Sequence, residues 1–183
     1  MSPGLSKKTP LQRVQESDKL LEKIMLVVPG FSGYKKREQR RDADKIIRDF
    51  LHSKLQEARN DLQDVYRAAS EGEHSDDLKR IDHLMATFDR VSEKVNHASY
   101  GYHGFFDAIK IEEADLDRMI TFDTQLVDGA KGVAERVKGV KGQVEAEVFD
   151  ALGADVRELR KTIEEFERAF DQRKDVIDGV EVG

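Results

Sequence analysis

The chain has 183 residues, a net charge of −6 and nearly equal hydrophobic (38%) and charged (37%) shares, so it is long enough for one ordinary domain but apolar residues are scarce. Cysteine is absent, which excludes a disulfide framework and thiolate chemistry and fits a reducing, cytoplasmic setting. The acidic total argues against nucleic acid as a partner and does not favour an anionic membrane, and the longest apolar run, Ile24 to Val28, is far short of the roughly 20 residues that span a bilayer.

The first ten residues, MSPGLSKKTP, have no apolar run behind their charges, so no secretory signal is expected there. Thr9-Pro10-x-Gln12 combines an N-cap, a proline suited to the first helical position and a capping-box partner. Leu11, Val14, Leu21, Ile24 and Val28 then recur on one helical face, predicting a first helix over about 10–28 that stops at Pro29-Gly30. No later proline occurs, so nothing beyond residue 29 forbids helix.

A second helix is predicted over about 34–70. Its stripe, Ile47, Leu51, Leu55, Ala58, Leu62, Val65 and Ala69, advances in steps of three and four, as a coiled-coil-like seam does. Ser75 can cap a third helix over about 76–98, with Asp76 and Asp77 at its positive dipole end and Leu78, Ile81, Met85, Phe88, Val91, Val95 and Ala98 as its stripe.

The fourth helix, about 112–152, carries Gly129, Gly132, Gly139 and Gly142, each costing on the order of 1 kcal/mol relative to alanine. The stripe Met119, Phe122, Leu126, Ala130, Val133, Val137, Val140, Val144, Val148 nevertheless keeps phase through them. The last three glycines fall on the opposite side and Gly129 at the stripe's edge, so close helix packing is not expected to explain them. Gly153 should end this helix, and Asp155-x-x-Glu158 can cap a fifth over about 155–178 with the stripe Val156, Leu159, Ile163, Phe166, Phe170, Ile177. Arg173 occupies one position of that seam. A hairpin at Gly153 is preferred to one very long helix. The fold class is thus all-α: a single elongated antiparallel helical bundle of about five helices.

Chemistry-bearing patterns are few. Helical di-iron sites pair Glu-x-x-His motifs on separate helices; Glu71-x-x-His74 is the single such spacing and straddles a glycine, so no metal and no cofactor are expected. The acids Glu112, Glu113, Asp115 and Asp117 open the fourth helix, where the dipole alone attracts them. No phosphate loop, nucleophile elbow or dinucleotide fingerprint is present, so no catalytic residue is assigned and an enzymatic role stays open.

Two segments stand out. From Tyr34 the chain reads YKKREQRRDADKIIR, in which Arg37, Arg41, Lys45 and Arg48 form a ridge opposite Ala43, Ile47 and Phe50; Glu38, Asp42, Asp44 and Asp49 can pair with it locally. Tyr100, Tyr102, His103, Phe105 and Phe106 crowd a glycine-containing stretch that either caps the core or binds something. Consecutive antiparallel helices would bring both loops to one end. The candidate binding set is therefore Phe31, Tyr34, Lys35, Lys36, Arg37, Arg41, Tyr100, Tyr102, His103, Phe105 and Phe106, with aromatic faces beside cations that suit an anionic ligand.

The stretches GYKKREQRRDADK, SYGYHGFFDAIKI and FDQRKDVI resemble those of a family of prokaryotic all-helical proteins. That resemblance implies the fold class alone; no activity or site residue comes with it. The favoured function is a non-enzymatic interaction or assembly module that forms a homo-oligomer, because narrow apolar seams want partner helices. The alternatives are a small-molecule or anion-binding protein, which could be an enzyme, with its site at the glycine-aromatic end, and a peripheral membrane protein using the first helix and the basic ridge.

Overall fold

The computed structural model describes residues 10–34, 40–71, 75–98 and 113–178. Within them the chain forms five helices: α1 (Pro10–Val27), α2 (Arg40–Glu71), α3 (Ser75–His97), α4 (Glu113–Glu145) and α5 (Leu152–Asp178). No strand occurs among the described residues, and no helix there is long and apolar enough to cross a membrane.

The seams decide how the helices meet. Every stripe position of α2, from Ile47 through Leu51, Leu55, Ala58, Leu62 and Val65 to Ala69, is fully buried. Those of α3 and α5 are buried or half-buried wherever their side chains are described, and Leu84 joins them. Side by side around one core the order is α2, α3, α5, α4, so the two helical hairpins α2–α3 and α4–α5 lie against each other. Cross-ties give the directions. Arg59 on α2 pairs with Asp89 on α3, while Arg48 meets Asn96, which makes that pair antiparallel. Arg173 joins Asp44 on α2 to Asp123 on α4 while Lys141, further along α4, reaches Asp61 and Asp64 on α2, and Arg90 and Lys94 on α3 reach Glu167 and Asp171 on α5, so α2 runs parallel to α4 and α3 to α5.

Helix α1 lies outside this square against α4. Ser17 contacts Asp117 and Lys23 contacts Asp128, so α1 runs parallel to α4 and therefore to α2. The expected antiparallel sequence thus fails at its first step, because the chain doubles back after α1 rather than turning straight into α2. Gly30 (φ 81°) and Gly33 (φ 90°) take left-handed conformations in this return, which L side chains rarely adopt. A Cβ on Gly33 would also sit 3.2 Å from Leu21 of α1.

The α4–α5 boundary also differs from expectation. Helix α4 stops at Glu145 rather than near Leu152, and α5 begins at Leu152 rather than Asp155. Gly153 lies inside the first turn of α5 and terminates nothing. The stop is made by Glu147, in the left-handed region at φ 59°, with Glu147 N donating to Val144 O and Val148 N to Gln143 O. This is a Schellman motif with glutamate where glycine is usual. Val148, the last residue of the expected stripe, is left half-exposed beyond the helix. The α4 glycines do not break the helix. Gly132, Gly139 and Gly142 face open space as expected, but a Cβ on Gly129 would meet Phe166 of α5 at 3.3 Å, so close packing does account for that one.

Candidate functional site

Three helices carry a charged residue in an otherwise apolar seam, all at one level. Asp44 extends the α2 stripe upstream of Ile47, Asp123 falls between Met119 and Leu126 on α4, and Arg173 follows Phe170 on α5. Because the seams converge, the three side chains meet at the end of the bundle where α2 begins. Arg173 Nε donates to Asp123 Oδ1 (2.7 Å) and its Nη2 to Asp44 Oδ1 (2.8 Å). Arg48, one turn along α2, donates from Nε to Asp44 Oδ2 (2.8 Å) and from Nη1 to the Asn96 carbonyl of α3 (3.2 Å). Tyr34, from the return segment, donates its hydroxyl to Asp123 Oδ2 (2.7 Å), and Arg40 Nε donates to the Tyr34 carbonyl (3.0 Å).

This network joins the return segment and all four helices of the square. Asp123 and Arg173 have no solvent exposure at all. Burial pushes the Asp123 carboxyl above its ordinary value, against the opposing pull of the Arg173 guanidinium and the Tyr34 hydroxyl. Burial, aided by the charge of Asp123, likewise raises the Tyr34 hydroxyl well above its usual range. Carboxylates so enclosed and paired serve orientation. A buried ion network gains little net stability, whereas removal of one partner from it is costly.

The candidate residues fall out unevenly. Phe31 and Tyr34 are buried, edge to face with ring centroids 5.5 Å apart, so they are core at this end rather than a stacking surface. Arg41 is exposed on α2. Lys35, Lys36, Arg37, Tyr100, Tyr102, His103, Phe105 and Phe106 lie outside the described residues, as does the Glu71-x-x-His74 spacing from residue 72 on. The basic ridge does not include Arg48: Arg41 and Lys45 are exposed, whereas Arg48 is turned inward to Asp44, one of the four acids able to pair with the ridge locally.

Elsewhere, Gln56 Nε2 donates to Ser92 Oγ (2.9 Å), which is hydrogen-bonded to His52 Nδ1 (2.9 Å). A serine beside a histidine invites a nucleophile–base reading. Ser92 is wholly buried within α3, so no substrate reaches it, and the trio is a cross-tie between α2 and α3. Among the described residues no group of three or more His, Cys, Asp or Glu is placed to hold a metal ion.

The open surface belongs to α1. A cleft of about 420 Å³ separates it from α4, with Leu20 and Phe122 among its apolar lining and Glu16, Asp117 and Arg118 among its charged groups. Of the large apolar side chains left exposed among the described residues, Val14 (41%), Met25 (47%) and Leu26 (87%) are on α1. The sequence places Val14 in the buried stripe, but it is exposed near the start of α1, whose main packing among the described residues is against α4. No family model, curated protein or solved structure matches the chain.

Proposed function

We propose that this protein is a non-enzymatic interaction and assembly module that associates with copies of itself through the outer face of α1. The seams of α2 to α5 close on one another within the chain, so they no longer call for an outside helix. The observation that carries the reading is the exposure of Leu26 and Met25 on a helix that, among the described residues, packs chiefly against α4. Sedimentation velocity over a wide concentration series tests it. Wild type should show a concentration-dependent shift to a larger species. Leu26→Glu and Met25→Glu should abolish the shift while leaving the far-ultraviolet dichroism and melting temperature unchanged. A wild-type chain that stays monomeric throughout would overturn the reading.

The cleft between α1 and α4 favours a second reading, binding of a small amphipathic molecule. Its described lining holds more carboxylates than cations, so a cationic head group suits it better than the anion suggested by the aromatic loops. A fragment screen by nuclear magnetic resonance should then give shifts clustered at Leu20, Thr121 and Phe122.

A further inference from the structure

Resting on the cleft reading, we infer that the cleft between α1 and α4 takes a primary amine with a short apolar tail, its ammonium group held by Asp117. Because α1 runs parallel to α4 and Ser17 stands level with Asp117, the cleft has an order along its length. Its polar end is the Ser17–Asp117 pair; Leu20 and Phe122, about one turn or roughly 5 Å further along their helices, make the apolar end. The buried Ser17 donates its hydroxyl to Asp117 Oδ1 (2.5 Å), which orients the carboxylate and leaves Oδ2 to accept a bond from a ligand. Thr121, one turn on from Asp117 and so on the same face, donates its hydroxyl to the Asp117 carbonyl (2.8 Å) and keeps its oxygen as an acceptor. An ammonium seated between them donates to both, while its chain lies along Leu20 and Phe122. Two neighbouring acceptors suit a group with several N–H donors. A quaternary ammonium has none and is recognised by a cage of aromatic faces, whereas the described lining offers the single ring of Phe122. An anion is not favoured either, because Arg118, the cation at the cleft, is 3.6 Å from Asp115 and its charge is already answered. The volume of about 420 Å³ falls within the roughly 300–1,000 Å³ of small-molecule sites.

The test is a nuclear magnetic resonance titration of the full chain with four probes of equal chain length: octylamine, octyltrimethylammonium, octanoate and octanol. Octylamine should shift the resonances of Leu20, Thr121 and Phe122 and bind about tenfold more tightly than octanol or octyltrimethylammonium, as charge-assisted hydrogen bonds at a half-exposed site allow. Octanoate should leave those resonances unmoved. Asp117→Asn keeps an oxygen for Ser17 and removes the charge, so it should weaken octylamine binding about tenfold and leave octanol binding unchanged. Octyltrimethylammonium or octanoate binding as tightly as octylamine, or octylamine binding unaltered in Asp117→Asn, would overturn the inference. Octanol binding at the cleft with octylamine no tighter would leave the cleft reading standing and remove this one. If none of the four probes shifts those residues, both fall.

Discussion

Arg173 holds two buried carboxylates, and the loss of its side chain strands them unequally. In Arg173→Met, Asp44 keeps its bond from Arg48, but Asp123 keeps only the Tyr34 hydroxyl. Breaking one partner from a buried ion pair costs about 3–5 kcal/mol, a large part of the roughly 5–15 kcal/mol that stabilises a typical domain. Urea unfolding followed by circular dichroism at pH 7 should show a loss of that size. Acid should then relieve it. Without Arg173, burial and the nearby Asp44 charge are opposed only by the Tyr34 hydroxyl, and the Asp123 pKa rises further, so the folded state takes up a proton that the unfolded state does not. Stability then increases as pH falls from 7 toward 5, by at most about 1.4 kcal/mol per pH unit. The double variant Arg173→Met with Asp123→Asn has no charge to strand there and should recover more than half of the loss at pH 7. A cost under about 1 kcal/mol, or one independent of pH, would refute the account of Arg173 as the buried counter-charge.

The Tyr34 hydroxyl ionises above its ordinary value of 10.0 in the fold, so its contribution is complete below pH 10 and is lost as pH rises further; Tyr34→Phe should flatten the alkaline limb of a pH–stability profile. Glu167 shows the opposite sign. The bond from Arg90, with Lys94 assisting, pulls its carboxyl down to about 2, so its contribution, roughly 1–2 kcal/mol after allowing for the exposure of Arg90, is present above pH 4.5 and lost between there and pH 2. Glu167→Gln should remove that acid-sensitive portion. Gly139→Ala and Gly142→Ala, with open space around each Cβ, should each add about 0.5–1 kcal/mol in thermal melts, whereas Gly129→Ala should gain less because Phe166 must shift. Glu147→Gly should stabilise by about 1 kcal/mol, since glycine occupies the left-handed cap without the Cβ penalty.

Much of this architecture was legible in the sequence because it rests on local periodicity. A step of three or four residues puts side chains on one face whatever the neighbours are, which is why the α2 stripe from Ile47 to Ala69 is buried without exception. The same logic carried the α4 stripe through its glycines, where a helix supported by packing absorbs their cost. Pro29-Gly30 stops α1 for reasons confined to its own backbone. Candidate sites were less legible. The aromatic and basic residues of the return segment drew attention by type, yet Phe31 and Tyr34 are interior, and type alone does not say which way a loop side chain turns.

What the tertiary structure decided is which faces meet and at what level. The direction of α1 and the return after it depend on contacts such as Ser17 with Asp117, a hundred residues apart, which no helical period encodes. Gly129 passed for a residue without a packing reason until Phe166 of α5 stood against it. Arg173 could be seen in its seam, and Asp44 and Asp123 sit in phase with theirs, so the signal for the buried network was a charge occupying an apolar position on each of three helices. Their meeting was beyond reach, because phase fixes the face on which a residue lies and leaves the axial alignment of one helix against another to the packing of the whole core.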